Sequence, residues 1–179
     1  MSGMGIPPGS AAGLAPGRDS RDLLLQEALV PLLVFAIEGQ RYAIPLPAVE
    51  RVLSMVGLST LPESPAIALG VINLHGKVLP VLDLRRRLGF PAHEYGTSAH
   101  LLVARTGRRT VALPVDEALG VQEVAAGAVT PPSTVLPGIR HVAGIVALAD
   151  GVLFIHDLEA FLSLEEERQL SEALEEMRG

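Results

Sequence analysis

One segment of this chain occurs twice, and the repetition limits the folds that the sequence can adopt. The first copy, Gly70–Leu88, reads GVINLHGKVLPVLDLRRRL, which is typical of two β-strands joined at a tight turn and followed by a short helix. A weaker copy lies 74 positions further along the chain. The matching pairs are Gly70 and Gly144, Val71 and Ile145, Ile72 and Val146, Val81 and Ile155, Asp83 and Asp157, Leu84 and Leu158, and Leu88 and Leu162. We therefore expect two similar halves, at about 31–90 and 99–164.

Short apolar runs separated by glycine- and proline-containing turns fill both halves. The sequence holds 18 Gly and 14 Pro, and it predicts further hairpins around Glu38–Gln40, Thr106–Arg109 and Ala149–Gly151. A helical turn is expected at Ala66–Leu69 and a long proline-rich loop at Ala125–Arg140. About five short strands in each half predict an all-β fold with a small barrel per half, because closing a sheet removes its exposed edges.

Two aspartates occupy equivalent places in the two halves. Asp83 and Asp157 each follow a predicted strand and precede a leucine-containing run, where a helix N-cap belongs. Paired carboxylates from two halves also occur in aspartic proteases, but there the aspartate precedes Thr or Ser and then Gly in a tight turn. Asp83 precedes Leu-Arg and Asp157 precedes Leu-Glu. The sequence therefore favours two helix caps.

The two ends of the chain differ in character. Residues 1–20 are mostly Gly, Pro, Ser and Ala, and we expect a disordered tail followed by a short helix at Arg21–Leu29. Residues 164–179 predict a C-terminal helix, with Ser163 and Glu166 as a capping box. We expect that helix to pack on a barrel, and a partner-binding helix is the alternative.

Charge and composition argue against several function classes. The net charge is −6 and aromatic residues make up 3%, which disfavours nucleic-acid binding. The chain has no cysteine, so it has no disulfide and no thiolate metal site, and this fits a cytoplasmic protein. Its longest apolar stretches are interrupted by charged residues, glycine or proline before they reach the roughly 20 residues of a spanning helix, so no membrane insertion is expected.

No arrangement of residues predicts catalysis or a cofactor. The five histidines, His75, His93, His100, His141 and His156, form no H-x-H or H-E-x-x-H motif, and His156 is expected at a barrel surface. Arg85-Arg86-Arg87 resembles a phosphate grip but more simply forms a solvated cationic face at the end of a short helix. A ligand- or metal-binding barrel built from scattered His and Asp is a remaining alternative.

Residues 70–85, GVINLHGKVLPVLDLR, closely resemble the hallmark segment of the CheW-like domain family. That segment typically reads G-[VI]-x-N-L-R-G-x-[VI]-x-P-[VI]-[VI]-D-L-R. Further matches are the run Leu33–Phe35 with Gly39, Tyr42 and Ile44, and Val115-Asp116 with Val121. The resemblance covers about Pro31–Leu164. We expect the CheW-like domain to span residues 21–164.

The resemblance implies a fold, a function and partners. The implied fold is two intertwined five-stranded SH3-like barrels with short helices and a C-terminal helix. The implied function is a non-enzymatic adaptor that couples methyl-accepting chemoreceptors to a CheA-type histidine kinase in bacterial chemosensory arrays. The kinase would contribute its barrel-shaped regulatory domain, and the receptor its helical cytoplasmic tip. The adaptor would be cytoplasmic and recruited to receptor arrays at the membrane. A scaffold in a related motility pathway, without standard receptor coupling, is the alternative.

The groove between the barrels is the implied receptor site, and we assign to it Val49, Arg51, Gly70, Asn73 and His75. Two of these depart from the family. Arginine is usual where His75 stands, and glutamate is frequent where Arg51 stands, so the usual pair carries opposite charges. Arg51 and His75 cannot form that ion pair, although a neutral His75 can accept a hydrogen bond from Arg51. The departure indicates either drift at a tolerant surface or a specialised receptor groove. The residues that face the kinase are not assigned by these motifs.

Overall fold

The fold was described from a computed structural model that covers residue 20 and residues 27–135 and 141–178. The predicted tail at 1–20 therefore lies almost entirely outside the described residues. Most of the predicted helix at Arg21–Leu29 also lies outside them, and its last residue, Leu29, begins the first strand instead.

The described residues form eleven β-strands and three α-helices. Single turns of 3₁₀ helix at Leu46–Ala48 and Ala126–Ala128 each precede a strand. In chain order the elements are β1 Leu29–Ile37, β2 Gln40–Pro45, β3 Val49–Ser54, β4 Ala68–Leu74, β5 Lys77–Leu82, α1 Leu84–Leu88, β6 His100–Arg105, β7 Thr110–Val115, β8 Glu117–Ala125, β9 Val129–Thr130, α2 Pro132–Val135, β10 Val142–Leu148, β11 Gly151–His156 and α3 Leu164–Arg178.

The strands form two sheets, and each sheet takes strands from both halves of the chain. The first sheet has the order β8-β1-β2-β11-β10-β9 and the second has the order β3-β6-β7-β5-β4. The halves join through the parallel pairs β2–β11 and β5–β7 and through the antiparallel pairs β1–β8 and β3–β6. The two strands of each hairpin pair antiparallel. This confirms the all-β, intertwined architecture. The first sheet has six strands rather than the expected five, because the two-residue β9 joins its edge.

The repeated glycine marks the same close approach in both sheets. A Cβ atom on Gly70 would lie 2.5 Å from the carbonyl oxygen of Ser59, and one on Gly144 would lie 2.5 Å from Cγ1 of Val129. Ser59 forms an isolated β-bridge with Val71, which corresponds to the pairing of β9 with β10. Glycine is needed at both positions because another segment crosses the strand there.

The buried apolar residues form three clusters, and only the largest joins the two sheets. One lies within the first sheet and includes Leu32 and Val34, and one lies within the second sheet and includes Leu101 and Val103. The largest cluster contains residues of both sheets and of α3: Leu33, Phe35, Ile37, Ile44, Leu82, Leu102, Leu113, Phe161 and Leu170 are among its members. Alternate residues of β1 thus face different clusters, so this strand is buried on both faces.

Helix α3 packs on the barrels through its middle. Leu170 and Ala173 are buried, and Arg109 donates to Glu167 at 3.0 Å from the turn between β6 and β7. At its start, Ser163 N–H donates to Glu166 Oε1 at 2.9 Å and Glu166 N–H donates to Ser163 Oγ at 3.1 Å. This reciprocal pair is a capping box.

Several local expectations were wrong. Ala66–Leu69 is not a helical turn, because β4 begins at Ala68. The expected loop at Ala125–Arg140 contains a 3₁₀ turn, β9 and α2, and its residues 136–140 lie outside the described part. No helix follows Asp157 before α3. Its carboxylate instead accepts from the N–H groups of Glu159 and Ala160, so it stabilises a turn.

Candidate functional site

The turn between β4 and β5 presents two of the predicted site residues. His75 and Gly76 have φ values of 53° and 86°, which are the two left-handed positions of a tight hairpin turn. Asn73 Oδ1 accepts a hydrogen bond from Gly76 N–H at 2.8 Å. Because this hydrogen bond fixes the turn, the backbone that carries the exposed His75 ring has a defined conformation.

Arg51 and His75 are in direct contact. Arg51 Nη1 lies 3.3 Å from His75 Nε2, and both side chains are exposed. A guanidinium group can only donate, so Nε2 accepts, which requires a neutral ring with its proton on Nδ1. The contact joins β3, one edge of the second sheet, to the turn that follows β4, the other edge. The two unusual residues therefore form a hydrogen-bonded pair in place of an ion pair.

The other two predicted residues lie deeper. Gly70 is buried, and the crossing segment at Ser59 leaves no room for a side chain, so it shapes the surface without contributing a group to it. Val49 is half-buried and packs against the largest apolar cluster. The structure thus brings Arg51, Asn73 and His75 to the surface together, while Val49 and Gly70 support it.

Apolar side chains next to these residues in the sequence are also exposed. Val52 follows Arg51 in β3, Leu69 precedes Gly70 in β4, and Val56 lies just beyond β3; their exposed fractions are 38%, 39% and 49%. Successive side chains of a strand point to opposite faces, so Val52 faces away from Arg51.

Arg85 is buried in an ion-pair cluster, so the expectation of a solvated cationic face was wrong. Its guanidinium group donates to Glu38, and to both carboxylate oxygens of Asp116 at 2.9 and 3.0 Å. Burial alone would lower the pKa of Arg85, but these bonds raise it overall, and they lower the pKa of Asp116 against the effect of burial. Burial raises the pKa of the neighbouring Tyr95 hydroxyl to about 12.

The Arg85 cluster connects distant parts of the chain. Glu38 lies in the turn after β1 in the first sheet, Arg85 lies in α1 after β5 of the second sheet, and Asp116 lies between β7 and β8. Arg87 is also engaged, since it donates to both carboxylate oxygens of Glu166 at 2.6 Å. Of the three arginines only Arg86 is exposed, with Asp83 accepting from its backbone N–H as the N-cap of α1.

The remaining histidines lie apart and make structural contacts. His93 packs edge-on against Tyr95, His100 Nδ1 accepts from Ala118 N–H, and His141 contacts the Ala160 carbonyl. His156 was expected at a barrel surface but is 2% exposed. Within residues 27–135 and 141–178, no three of the His, Asp and Glu residues lie together in a way that would hold a metal ion. No helix of the described part is long and apolar enough to cross a membrane.

Comparison with known proteins gives consistent matches. The CheW-like domain family matches residues 31–166. A probable chemotaxis protein CheW of Rhizobium etli is 30% identical over 134 residues, which cover 74% of this chain and 86% of the relative. Protein FrzA of Myxococcus xanthus is 33% identical over 98 residues, covering 55% of this chain and 61% of the relative.

The fold also matches a solved structure. The crystal structure of scaffolding protein TtCheW from Thermoanaerobacter tengcongensis superposes with a TM-score of 0.70 and 24% sequence identity. The match covers 78% of this chain and 96% of that structure. At this identity the similarity describes the fold.

Proposed function

We propose, from the premise that this chain belongs to the CheW-like domain family, that it is a non-enzymatic adaptor of a chemosensory system. In the finer form of the proposal it couples chemoreceptors to a CheA-type histidine kinase. The family match across residues 31–166 is the observation that carries this proposal. Such an adaptor would act in the cytoplasm, at receptor arrays beside the membrane.

The surface around Arg51, Asn73 and His75 supports a receptor-facing role. It presents exposed polar groups on a turn that the Asn73 side chain holds, and the exposed aliphatic side chain of Leu69 lies close to it in the sequence. Apolar contact supplies most of the affinity in such interfaces, while polar groups at the rim select the partner. A helical receptor tip offers the matching combination of an apolar stripe flanked by polar residues.

The mechanism we infer is simultaneous binding. One surface would hold the regulatory domain of the kinase and the other the receptor tip, so that a change in the receptor alters kinase activity through the adaptor. The shared apolar cluster and the buried Arg85 cluster make the two sheets one packed unit.

Binding and kinase assays with the purified protein test the proposal. The partners are the CheA-type regulatory domain and a receptor cytoplasmic fragment from the same organism, measured by calorimetry and by receptor-dependent kinase activity. We expect binding to both. An absence of affinity for the kinase regulatory domain would overturn the adaptor function.

His75→Arg separates the two explanations of the unusual pair. The variant places two guanidinium groups side by side, so it removes the hydrogen bond to Arg51 and adds repulsion. Weaker receptor binding by the variant supports a groove specialised for its receptor, and stronger binding supports drift. His93→Arg is the matched control, because His93 is exposed and lies in the connector after α1.

The second candidate is a scaffold in a related motility pathway. The similarity to FrzA and the Arg51–His75 pair favour it. Such a scaffold would bind a CheA-type kinase but not a standard chemoreceptor fragment, so the same two binding measurements distinguish it from the adaptor.

A further inference from the structure

A cleft lined by five cationic side chains lies beside the β4–β5 turn. It is about 260 Å³ in volume and is formed by the start of β5, the turn between β6 and β7, and the last turn of α3. Its charged residues are Lys77, Arg105, Arg108, Arg109 and Arg178, and no carboxylate lines it. We call it the basic cleft.

Three of these cations have no carboxylate, or only a distant one, to pair with among the described residues. In the part of the chain that the structure describes, Lys77 and Arg108 have no carboxylate within ion-pair distance, and the exposed Arg105 reaches only Glu50, at 4.0 Å. Arg109 differs, because Glu167 and Ser171 accept from it. Grouped like charges repel, and the protein as a whole carries a net charge of −6. A local concentration of positive charge on an acidic protein favours an anionic partner.

The floor and the backbone of the basic cleft show which kind of anion fits. Val78 and Leu174 contribute half-buried aliphatic surface between the cations. The backbone N–H groups of the β6–β7 turn are already used: Arg108 and Arg109 donate to Thr106 Oγ1, and Gly107 donates to Glu159. Phosphate sites in proteins typically rely on free backbone N–H groups, which this turn does not offer.

We propose that the basic cleft binds an acidic, amphipathic segment of a partner protein. Carboxylates of that segment pair with Lys77, Arg105 and Arg108, while an apolar side chain covers Val78 and Leu174. The cleft adjoins the Arg51–His75 surface, because Lys77 directly follows the His75-Gly76 turn. It is a separate site with its own charge selectivity, and the inference does not depend on the proposed adaptor function.

Lys77 makes a sharp test possible, because it is the only lysine in the chain. The probe is a short fluorescein-labelled helical peptide with glutamate on one face and leucine on the other, and the control peptide has glutamine in place of glutamate. Carbodiimide activates a glutamate carboxyl group, and the Lys77 amine then displaces the activating group to form an amide bond. We expect this cross-link at Lys77, located by peptide mass mapping, and none with the glutamine peptide.

Fluorescence anisotropy with charge-reversal variants provides the second measurement. Lys77→Glu combined with Arg108→Glu is expected to weaken binding of the glutamate peptide by about tenfold or more, with a strong salt dependence. The matched control Arg86→Glu reverses an exposed arginine outside the cleft and should leave binding unchanged. Thermal unfolding followed by circular dichroism verifies that each variant is folded.

Three results would overturn the inference. These are no binding of the glutamate peptide to the wild-type protein, equal binding by the double variant, and displacement of the peptide by micromolar inorganic pyrophosphate, which would identify a small-anion site instead. Since none of these assays uses a kinase or a receptor, their failure would leave the proposed adaptor function standing.

Discussion

Replacing His156 by leucine should remove part of the acid sensitivity of this protein. His156 ends β11, is 2% exposed, and neither ring nitrogen has a hydrogen-bond partner among the described residues. Its ring centroid lies 5.5 Å from that of Phe161. Burial, together with the nearby charges of His141 and Arg87, lowers the pKa of His156 from 6.5 to about 3. The folded protein therefore holds this ring neutral.

The direction of the effect follows from proton binding. Between pH 6.5 and pH 3 the unfolded chain binds a proton at His156 that the folded protein does not bind. This group alone therefore decreases the free energy of unfolding by about 1.4 kcal/mol for each unit that the pH is lowered below 6.5. At pH 4.5 the loss is about 2.7 kcal/mol relative to pH 7.5, where both states hold the ring neutral.

Urea unfolding of the wild type and of His156→Leu, followed by circular dichroism from pH 7.5 to pH 4.5, measures this quantity. At pH 7.5 the variant should be at least as stable as the wild type, by up to about 3 kcal/mol, because leucine replaces an unpaired polar ring with an apolar group of similar volume. At pH 4.5 the variant should be more stable than the wild type by about 2.7 kcal/mol beyond any difference at pH 7.5. Parallel pH profiles for the two proteins would show that His156 is not held neutral by the folded protein.

Three further variants test other parts of the fold through the same unfolding measurement. Arg85→Met should lower the free energy of unfolding because it leaves two carboxylates unpaired, and the loss should be limited to about 2 kcal/mol because those carboxylates stay partly hydrated. The control Arg86→Met, at an exposed arginine, should change it by under about 0.5 kcal/mol. Equal effects of the two variants would contradict the assigned burial. Gly70→Ala should cost about 2–3 kcal/mol because its Cβ would meet a backbone carbonyl, while Gly57→Ala, with open space around it, should be nearly neutral. Ser163→Ala should cost about 1 kcal/mol by removing the capping hydroxyl, and an unchanged midpoint would refute the capping box.

Features that depend on neighbouring residues were predictable from the sequence. The hairpin at β4–β5 follows from two aliphatic, β-favouring runs on either side of a turn that Gly76 can form, and the cap at Asp83 follows from its position before Leu84. The capping box at Ser163 is equally local. Asp157 shows the limit of this reasoning, because the same residue in an equivalent place stabilises a turn and not a helix.

The site was predictable only in part, because exposure depends on what packs against each strand. Arg51, Asn73 and His75 are exposed, and the Arg51–His75 hydrogen bond is the one that a neutral histidine permits. Gly70 and Val49 belong to the same sequence pattern, but they are withdrawn from the surface. The segment that crosses Gly70 comes from the preceding loop, and nothing in the periodicity of β4 indicates it.

The repeat, the hairpins, the turn at His75 and the family resemblance can be read from the sequence, because residues close together in the chain set the backbone conformation of turns and strands. The tertiary structure alone decided how the halves exchange strands, since the parallel pairs β2–β11 and β5–β7 join segments that are far apart in the chain. It also decided that Arg85 and His156 are buried. Burial of a side chain depends on surfaces contributed by distant segments, and no local pattern contains that information.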